Sequence, residues 1–159
     1  MANLEPLIQS IPVAPLKLAS LEGCRTLADQ VNNYLVSFRH ESPTNVGQAD
    51  SLQGYCADSY LLECECPRFG SGEGKGVLKE SVRGCDLFIM VDVTNYSLTY
   101  RVNGYENHMS PDNHYQDLKR IISAADGKAR RINVIMPFLY EGRQHKRSKR
   151  ESLDCALML

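Results

Sequence analysis

The chain has 159 residues, 43% of them hydrophobic and 23% charged, which is typical of a domain with a buried core and excludes a disordered or fibrous chain. Its formal net charge is only -1, so no global field draws it to nucleic acid or to an acidic membrane. No apolar stretch approaches the roughly 20 residues that span a bilayer, and the first residues lack a signal-peptide pattern. We therefore expect a single cytoplasmic domain.

The six cysteines do not follow a metal-binding or disulfide pattern. They lie at positions 24, 56, 64, 66, 85 and 155, and in a cytoplasmic chain they are expected to be reduced thiols. Cys64 and Cys66 form the one close pair, and a zinc site would need two further ligands at a matching spacing. We expect both to lie on one face of a strand as small apolar side chains, and we expect no metal site.

The first part of the chain predicts a helix and a loop. Leu27, Val31 and Leu35 recur every four residues, which predicts an amphipathic helix over 22–37. Residues 40–57 are polar and rich in Gly, Ser and Asn, which predicts a connecting loop.

Three strands are predicted next. Two of them, at 60–66 and 77–81, lie on either side of a glycine-rich turn at 68–76. The third is an apolar run at 86–93, which has the length and composition of a strand that is buried on both faces.

The following helix has clear boundary signals. Ser110 is a suitable N-cap, Pro111 suits the first helical position, and Gly127 lies just past the end. Its core-facing side chains are predicted to be Tyr115, Leu118, Ile121, Ile122 and Ala125. A buried strand over 131–137 follows, so segment 86–137 predicts a strand, helix, strand unit with a right-handed crossover in a parallel sheet.

Ligands of such sheets bind beyond the carboxyl ends of the strands, which here means the loops after Val93 and Pro137. The second loop is strongly basic, with five Lys or Arg among residues 143–150. Arg143 offers a fork of donors to phosphate oxygens, and the Gln144 amide can both donate and accept, as a nucleobase or ribose requires. A solvated basic loop and a nucleic-acid tail are the alternatives, and the lack of interleaved aromatics disfavours the second.

Several dispersed segments together resemble a known family. Four segments are similar in order and spacing to the N-terminal half of ribose-phosphate pyrophosphokinase, the phosphoribosyl pyrophosphate synthetase family. They are Glu80-Ser81-Val82-Arg83-Gly84 before an apolar strand, Lys119-Arg120 in a helix, the strand at 131–137 and the pair Arg143-Gln144. The resemblance covers about residues 60 to 159. It implies a phosphoribosyltransferase-like α/β fold, a three-layer α/β/α arrangement with a mostly parallel sheet.

The family's reaction transfers diphosphate from Mg-ATP to ribose 5-phosphate and gives phosphoribosyl pyrophosphate and AMP. The resemblance implies that the adenine pocket is shared between subunits of a homo-oligomer. Phe69 matches the stacking aromatic and Glu73 the acidic residue of one subunit, while Ser71 replaces the family's Asp. Arg143 and Gln144 match the ATP-contacting pair of the neighbouring subunit.

The chain as a whole, residues 1–159, is therefore expected to be the N-terminal domain of such an enzyme, without the C-terminal domain that carries the metal-binding His and the ribose 5-phosphate loop. We expect half of an ATP site, no catalytic residue or metal ligand, and no activity from the chain alone. Residues 1–58 and the insert-like segment 100–108 do not follow the family pattern, which indicates a divergent branch. The alternatives are a non-catalytic regulatory subunit associated with the synthetase and a basic RNA-binding module.

Overall fold

The computed structural model describes residues 12–41 and 54–158, and a four-stranded parallel sheet forms its centre. The strands are β1 (Leu16–Ser20), β2 (Leu61–Leu62), β3 (Cys64–Glu65), β4 (Val77–Leu78), β5 (Asp86–Met90), β6 (Thr99–Val102), β7 (Tyr105–His108) and β8 (Arg131–Ile135). The helices are α1 (Arg25–Glu41), α2 (Pro111–Ala124) and α3 (Asp154–Met158), and a 3-10 turn covers Glu22–Cys24. The central sheet has the order β2-β1-β5-β8, while β3 with β4 and β6 with β7 form antiparallel pairs.

Helices α1 and α2 cover opposite faces of this sheet. Successive side chains of a strand point to opposite faces, so two hydrophobic clusters form. The α1 face contains Leu18, Cys24, Ala28 and Met90, with Val31 and Phe88 packed against them. The α2 face contains Ala19, Leu87, Ile89, Leu118 and Ile121. The expected α/β fold with a mostly parallel sheet and helices on both sides is confirmed.

The predicted strand, helix, strand unit is present as β5, α2 and β8. The prediction that the second strand is buried and extends to residue 137 is wrong, because β8 ends at Ile135 and lies at the edge of the described sheet with its side chains exposed or partly exposed. Strands β5 and β8 pair in parallel from Asp86 opposite Arg131 to Met90 opposite Ile135. The Ser110 side chain accepts a hydrogen bond from the Asn113 N–H at 3.2 Å, and Pro111 is the first helical residue. The helix ends where expected, and its predicted core side chains all belong to the α2-face cluster.

Helix α1 extends beyond its predicted end. It continues to Glu41 instead of ending at residue 37, so residues 40 and 41 are helical and the prediction of a loop from 40 is wrong there. The Arg39 guanidinium donates to the Tyr55 carbonyl at 2.9 Å and lies over the Tyr55 ring, which holds the last turn. Most of the predicted loop, residues 42–53, lies outside the described residues.

Two other predictions need correction. The run at 60–66 is not one strand, because β2 pairs with β1 in the central sheet while β3 pairs with β4. The predicted strand at 77–81 is correspondingly short, since only Val77–Leu78 is paired. Strand β1 and the β6–β7 hairpin were not predicted. Cys64 and Cys66 do pack as apolar side chains within the α2-face cluster.

None of the helices in the described part of the chain has the length and apolar composition needed to cross a bilayer.

Candidate functional site

Residues 68–74, named here the Phe69 turn, form a closed loop between β3 and β4. A bridge joins Arg68 and Gly74, and the Phe69 N–H donates to the Glu73 carbonyl at 2.7 Å. The Phe69 side chain is 53% exposed. Beside it, the Ser71 hydroxyl donates to the Glu73 carboxylate at 2.7 Å. The turn therefore presents an open aromatic ring next to a hydroxyl and a carboxylate, which are three of the predicted site residues.

The Phe69 turn is attached to α2 by a buried charge cluster. The Arg68 guanidinium donates two hydrogen bonds to the Asp117 carboxylate, at 2.6 and 2.7 Å, and Arg120 donates a third. The Asp117 side chain is 5% exposed and that of Arg68 is 10% exposed. A bidentate pair in such surroundings fixes the relative position of its two elements. Asp117 is the residue that the sequence analysis missed, since its partner Arg68 lies 49 residues away.

The β6–β7 hairpin supports the same turn from another side. The Arg68 guanidinium carbon lies 5.2 Å from the centre of the Tyr100 ring, within the range of a cation–π contact. A Cβ atom built on Gly72 would stand 3.0 Å from a methyl carbon of Val102. The turn thus touches the hairpin at two points, and Gly72, whose φ is +92°, has a backbone conformation that favours glycine.

A cavity of about 190 Å³ lies at the carboxyl ends of the strands, between the hairpin, β3 and α2. The β1–α1 connection at Gly23 and the buried side chain of His114 line it. His114 donates through Nε2 to the Asn95 carbonyl at 2.7 Å, and the Asn95 amide donates to the Gly23 carbonyl at 3.3 Å. These bonds join the loops that follow β1 and β5.

The burial of the nearby thiols raises their pKa values. Burial is the main cause for Cys66, whose pKa rises to about 12, and for Cys64, whose pKa rises to about 11. Both are therefore neutral thiols at pH 7, without the thiolate character that a nucleophile or metal ligand needs. In the ranges 12–41 and 54–158, no group of three or more His, Cys, Asp or Glu side chains could hold a metal ion.

Arg143 and Gln144 lie in the loop between β8 and α3. The Gln144 side-chain amide donates to the Ser152 carbonyl at 2.9 Å, and its backbone carbonyl accepts from the Cys155 N–H at 3.3 Å. The Arg143 side chain is exposed, and none of the hydrogen bonds or ion pairs of the described residues involves it. Gln144 is thus held by Ser152 and by Cys155 at the start of α3, while the Arg143 side chain is exposed to solvent.

The start of this loop is attached to the first turns of α2. The Tyr140 ring stacks on the Tyr115 ring with 4.4 Å between their centres. Its hydroxyl donates to the Asp112 carboxylate at 2.6 Å, and this hydrogen bond, with burial, raises the pKa of Tyr140 well above its usual range. The loop therefore has a fixed starting point against the helix.

The five predicted site residues fall into two separate groups. Phe69, Ser71 and Glu73 lie together on the Phe69 turn, and Arg143 and Gln144 lie together on the loop after β8. Across the two described segments of the chain, no hydrogen bond, ion pair or ring contact joins one group to the other. Each group instead follows a residue that contacts α2: Arg68 binds Asp117, and Tyr140 binds Asp112.

Three comparisons identify similar proteins. A family model described as the N-terminal domain of ribose phosphate pyrophosphokinase matches residues 16–159. The ribose-phosphate pyrophosphokinases of Corynebacterium ammoniagenes and Bacillus cereus are each 30% identical over 145 residues, which cover 90% of this chain and 34% of theirs. The chain thus spans about a third of the length of these curated relatives.

The fold is also found in a solved structure. The crystal structure of phosphoribosylpyrophosphate synthetase from Mycobacterium smegmatis matches 91% of this chain and 37% of that chain, with a TM-score of 0.59 and 24% sequence identity. At this identity the match shows a common fold.

Proposed function

This chain belongs to the family of N-terminal domains of ribose phosphate pyrophosphokinase, and from that membership we propose that it supplies the ATP-binding half of such an enzyme. In the complete reaction the terminal diphosphoryl group of ATP passes to the 1-hydroxyl of ribose 5-phosphate. The attack takes place at the β-phosphorus, and the products are phosphoribosyl pyrophosphate and AMP. The pathway that uses this product is nucleotide biosynthesis.

The observation that carries the proposal is the arrangement of the Phe69 turn. The half-exposed Phe69 ring offers a flat apolar surface on which an adenine base can stack, and base–aromatic stacking contributes about 1–3 kcal/mol per base in other proteins. The Ser71 hydroxyl already donates to Glu73, so its oxygen remains able to accept from the adenine amine. We propose that the Phe69 ring stacks on adenine and that the oxygens of Ser71 and Glu73 accept from the adenine amine.

The phosphate and ribose contacts come from the loop after β8 of a second copy. Arg143 is exposed, and its guanidinium can donate two parallel hydrogen bonds to phosphate oxygens. The Gln144 amide nitrogen is engaged by Ser152, and no described group donates to its Oε1. Because no contact joins the two groups of site residues within one chain, we propose a homo-oligomer in which neighbouring copies complete each other's sites.

The role of this chain is binding and orientation. Transfer of a diphosphoryl group needs charge neutralisation and alignment of two substrates, and Mg²⁺ enters bound to the ATP phosphates. Mg²⁺ is usually held by one or two carboxylates together with substrate phosphates. We propose that these carboxylates and the catalytic groups lie outside the described residues, and we assign no metal ligand and no catalytic residue to this chain. We therefore propose that ribose 5-phosphate binds outside these residues and that the chain alone does not turn over.

We also propose a cytoplasmic location. All six cysteines are free thiols, which is the state that a reducing compartment maintains.

Mixing two defective variants tests the shared site. Phe69→Ala and Arg143→Ala should each abolish binding of a fluorescent ATP analogue. In a 1:1 mixture, a turn from one variant can meet a loop from the other, so about one quarter of the sites should be intact. Arg147→Ala is the matched control, because it removes another exposed arginine of the same loop. This variant should bind the ATP analogue as the unaltered chain does.

Other outcomes would contradict the proposal. A mixture that binds no better than its components would exclude a site shared between copies. Equal losses in Arg143→Ala and Arg147→Ala, with tight polynucleotide binding that falls steeply with salt, would favour the RNA-binding alternative. Release of AMP by the pure chain from Mg-ATP and ribose 5-phosphate would refute its proposed inactivity.

A further inference from the structure

We propose that the β6–β7 hairpin, residues 99–108, positions the Phe69 turn for nucleotide binding through Tyr100 and Val102. The inference rests on the proposed role of that turn. It assigns the two hairpin residues a positioning role, since they act through Arg68 and Gly72.

A tight turn and cross-strand hydrogen bonds order the hairpin. Asn103 and Gly104 have φ values of +50° and +84°, the backbone of a tight two-residue turn whose twist matches that of the paired strands. The Thr99 hydroxyl donates to the Glu106 carboxylate across the two strands at 2.7 Å. At the base, the Met109 N–H donates to the Leu98 carbonyl at 2.8 Å.

A ring contact closes the base of the hairpin further. The Tyr96 and His108 rings stack with 4.4 Å between their centres, and a His108 ring nitrogen donates to the Tyr96 carbonyl at 2.8 Å. These contacts order the two strands relative to each other, and Tyr100 and Val102 lie on the same face of β6.

The Phe69 turn is clamped between this hairpin and α2. At its first residue, the Arg68 guanidinium is bound by Asp117 of α2 and also lies over the Tyr100 ring. At its middle, Gly72 lies so close to Val102 that a Cβ atom there would have to displace the valine methyl. Two hairpin contacts thus fall on either side of Phe69 and hold the backbone segment that carries its ring.

The clamp leaves the predicted nucleotide contacts free. Phe69 is half exposed, and Ser71 and Glu73 are exposed. Removing the Tyr100 ring takes away the apolar, electron-rich surface over the Arg68 guanidinium but leaves the Asp117 pair. The turn should then keep its attachment to α2 and lose its second support, so the ring of Phe69 samples directions that do not stack on adenine.

Amide hydrogen exchange and nucleotide binding test the inference on the full chain. In Tyr100→Ala, the Phe69 and Gly72 amides should exchange about tenfold faster, and affinity for a fluorescent ATP analogue should fall about tenfold, in line with the loss of one partly desolvated cation–π contact. Tyr100→Phe keeps the ring and should restore both values. Tyr105→Ala is the matched control, because that ring lies at the hairpin tip and is 77% exposed.

Val102→Ala provides a second variant in case Tyr100→Ala fails to fold, and it should accelerate exchange at Gly72. Unchanged exchange in both variants would overturn the inference, and so would an equal loss of affinity in Tyr105→Ala. If the unaltered chain binds no nucleotide while the exchange effect is present, the proposed nucleotide role fails and the support of the turn by the hairpin stands.

Discussion

Replacing Gly76 with alanine is the most direct test of how the Phe69 turn is joined to α2. Gly76 lies where the chain leaves the turn and approaches β4. A Cβ atom built there would stand 2.4 Å from the carbonyl oxygen of Arg120, 2.5 Å from its carbonyl carbon and 2.9 Å from the nitrogen of Ile121. All three are backbone atoms, so no side-chain rotation relieves the overlap.

The size of the effect follows from what must move. To bring the shortest contact to 3.0 Å, the two backbones must separate by 0.6 Å, the difference between 3.0 and 2.4 Å. Helix α2 cannot simply retreat, because Leu118 and Ile121 are buried in the core. Overpacking of this kind costs about 1–3 kcal/mol, and we expect the upper end, about 3 kcal/mol, since the strain falls on a helix backbone. The midpoint of thermal unfolding should fall by about 6–12 °C.

Urea and thermal unfolding, followed by circular dichroism, measure this change. Gly70→Ala is the matched control in the same segment, because a Cβ atom built at Gly70 has no other atom within 4 Å. We expect Gly70→Ala to change the free energy of unfolding by less than about 0.5 kcal/mol. If Gly76→Ala is as stable as Gly70→Ala, the segment that follows the Phe69 turn does not approach the backbone of α2 this closely.

Three further predictions concern charge and thiol chemistry. Asp117→Ala leaves the Arg68 guanidinium buried without its carboxylate and should cost about 3–5 kcal/mol in urea unfolding. In contrast, Lys128→Ala removes an exposed ion pair and should change stability little. Burial raises the pKa of Cys66 from 9.0 to about 12, so the unfolded chain loses the thiol proton at a lower pH than the folded chain does. The contribution of Cys66 to the free energy of unfolding should therefore be constant below pH 9 and fall as the pH rises from 9 towards 12. Thermal melts of Cys66→Ala should show a weaker fall in stability over this range. Cys56 is the exposed cysteine and should react fastest with a thiol reagent. The fast phase of the reaction should be absent from Cys56→Ser, and a fast phase in that variant would refute its assignment to Cys56.

Local signals account for the parts of the fold that the sequence predicted well. The start of α2 follows from Ser110 and Pro111, which act within one helical turn. Strand β5 follows from its continuous apolar run, since a strand buried on both faces needs no alternation. These features depend on residues close together in the chain, so no knowledge of distant partners is needed.

Features that depend on distant partners could not be predicted. Strand β1 is central only because β2 and β5 pair with its two edges, and its short sequence contains Lys17 and Ser20 among apolar residues. The break between β2 and β3 falls at Glu63, where the chain passes from one sheet to another. The β6–β7 hairpin is different, because a local signal for it exists: Asn103-Gly104 is a strong signal for a hairpin turn. The interpretation of 100–108 as an insert does not use this signal.

The candidate site shows the same division. The positions of Phe69, Glu73 and Arg143 come from the resemblance to a family, which matches residues one by one. The support of the turn by Asp117 and Tyr100 comes from contacts between segments far apart in the chain, and nothing local in the sequence indicates which residues will meet.

The geometry of α2 supports the proposal that the nucleotide site is divided between copies. Successive residues of a helix are rotated by about 100°, so Asp112 and Tyr115, which contact the loop after β8, lie on one flank. Asp117 and Arg120, which contact the Phe69 turn, lie on another flank, roughly 140° away. The core face that carries Leu118 and Ile121 lies on the opposite side of the helix from this 140° arc, roughly 100–120° from each flank. A single helix therefore attaches the Phe69 turn and the loop after β8 on different flanks. Under the proposed function, a nucleotide would contact both groups by using the turn of one copy and the loop of another.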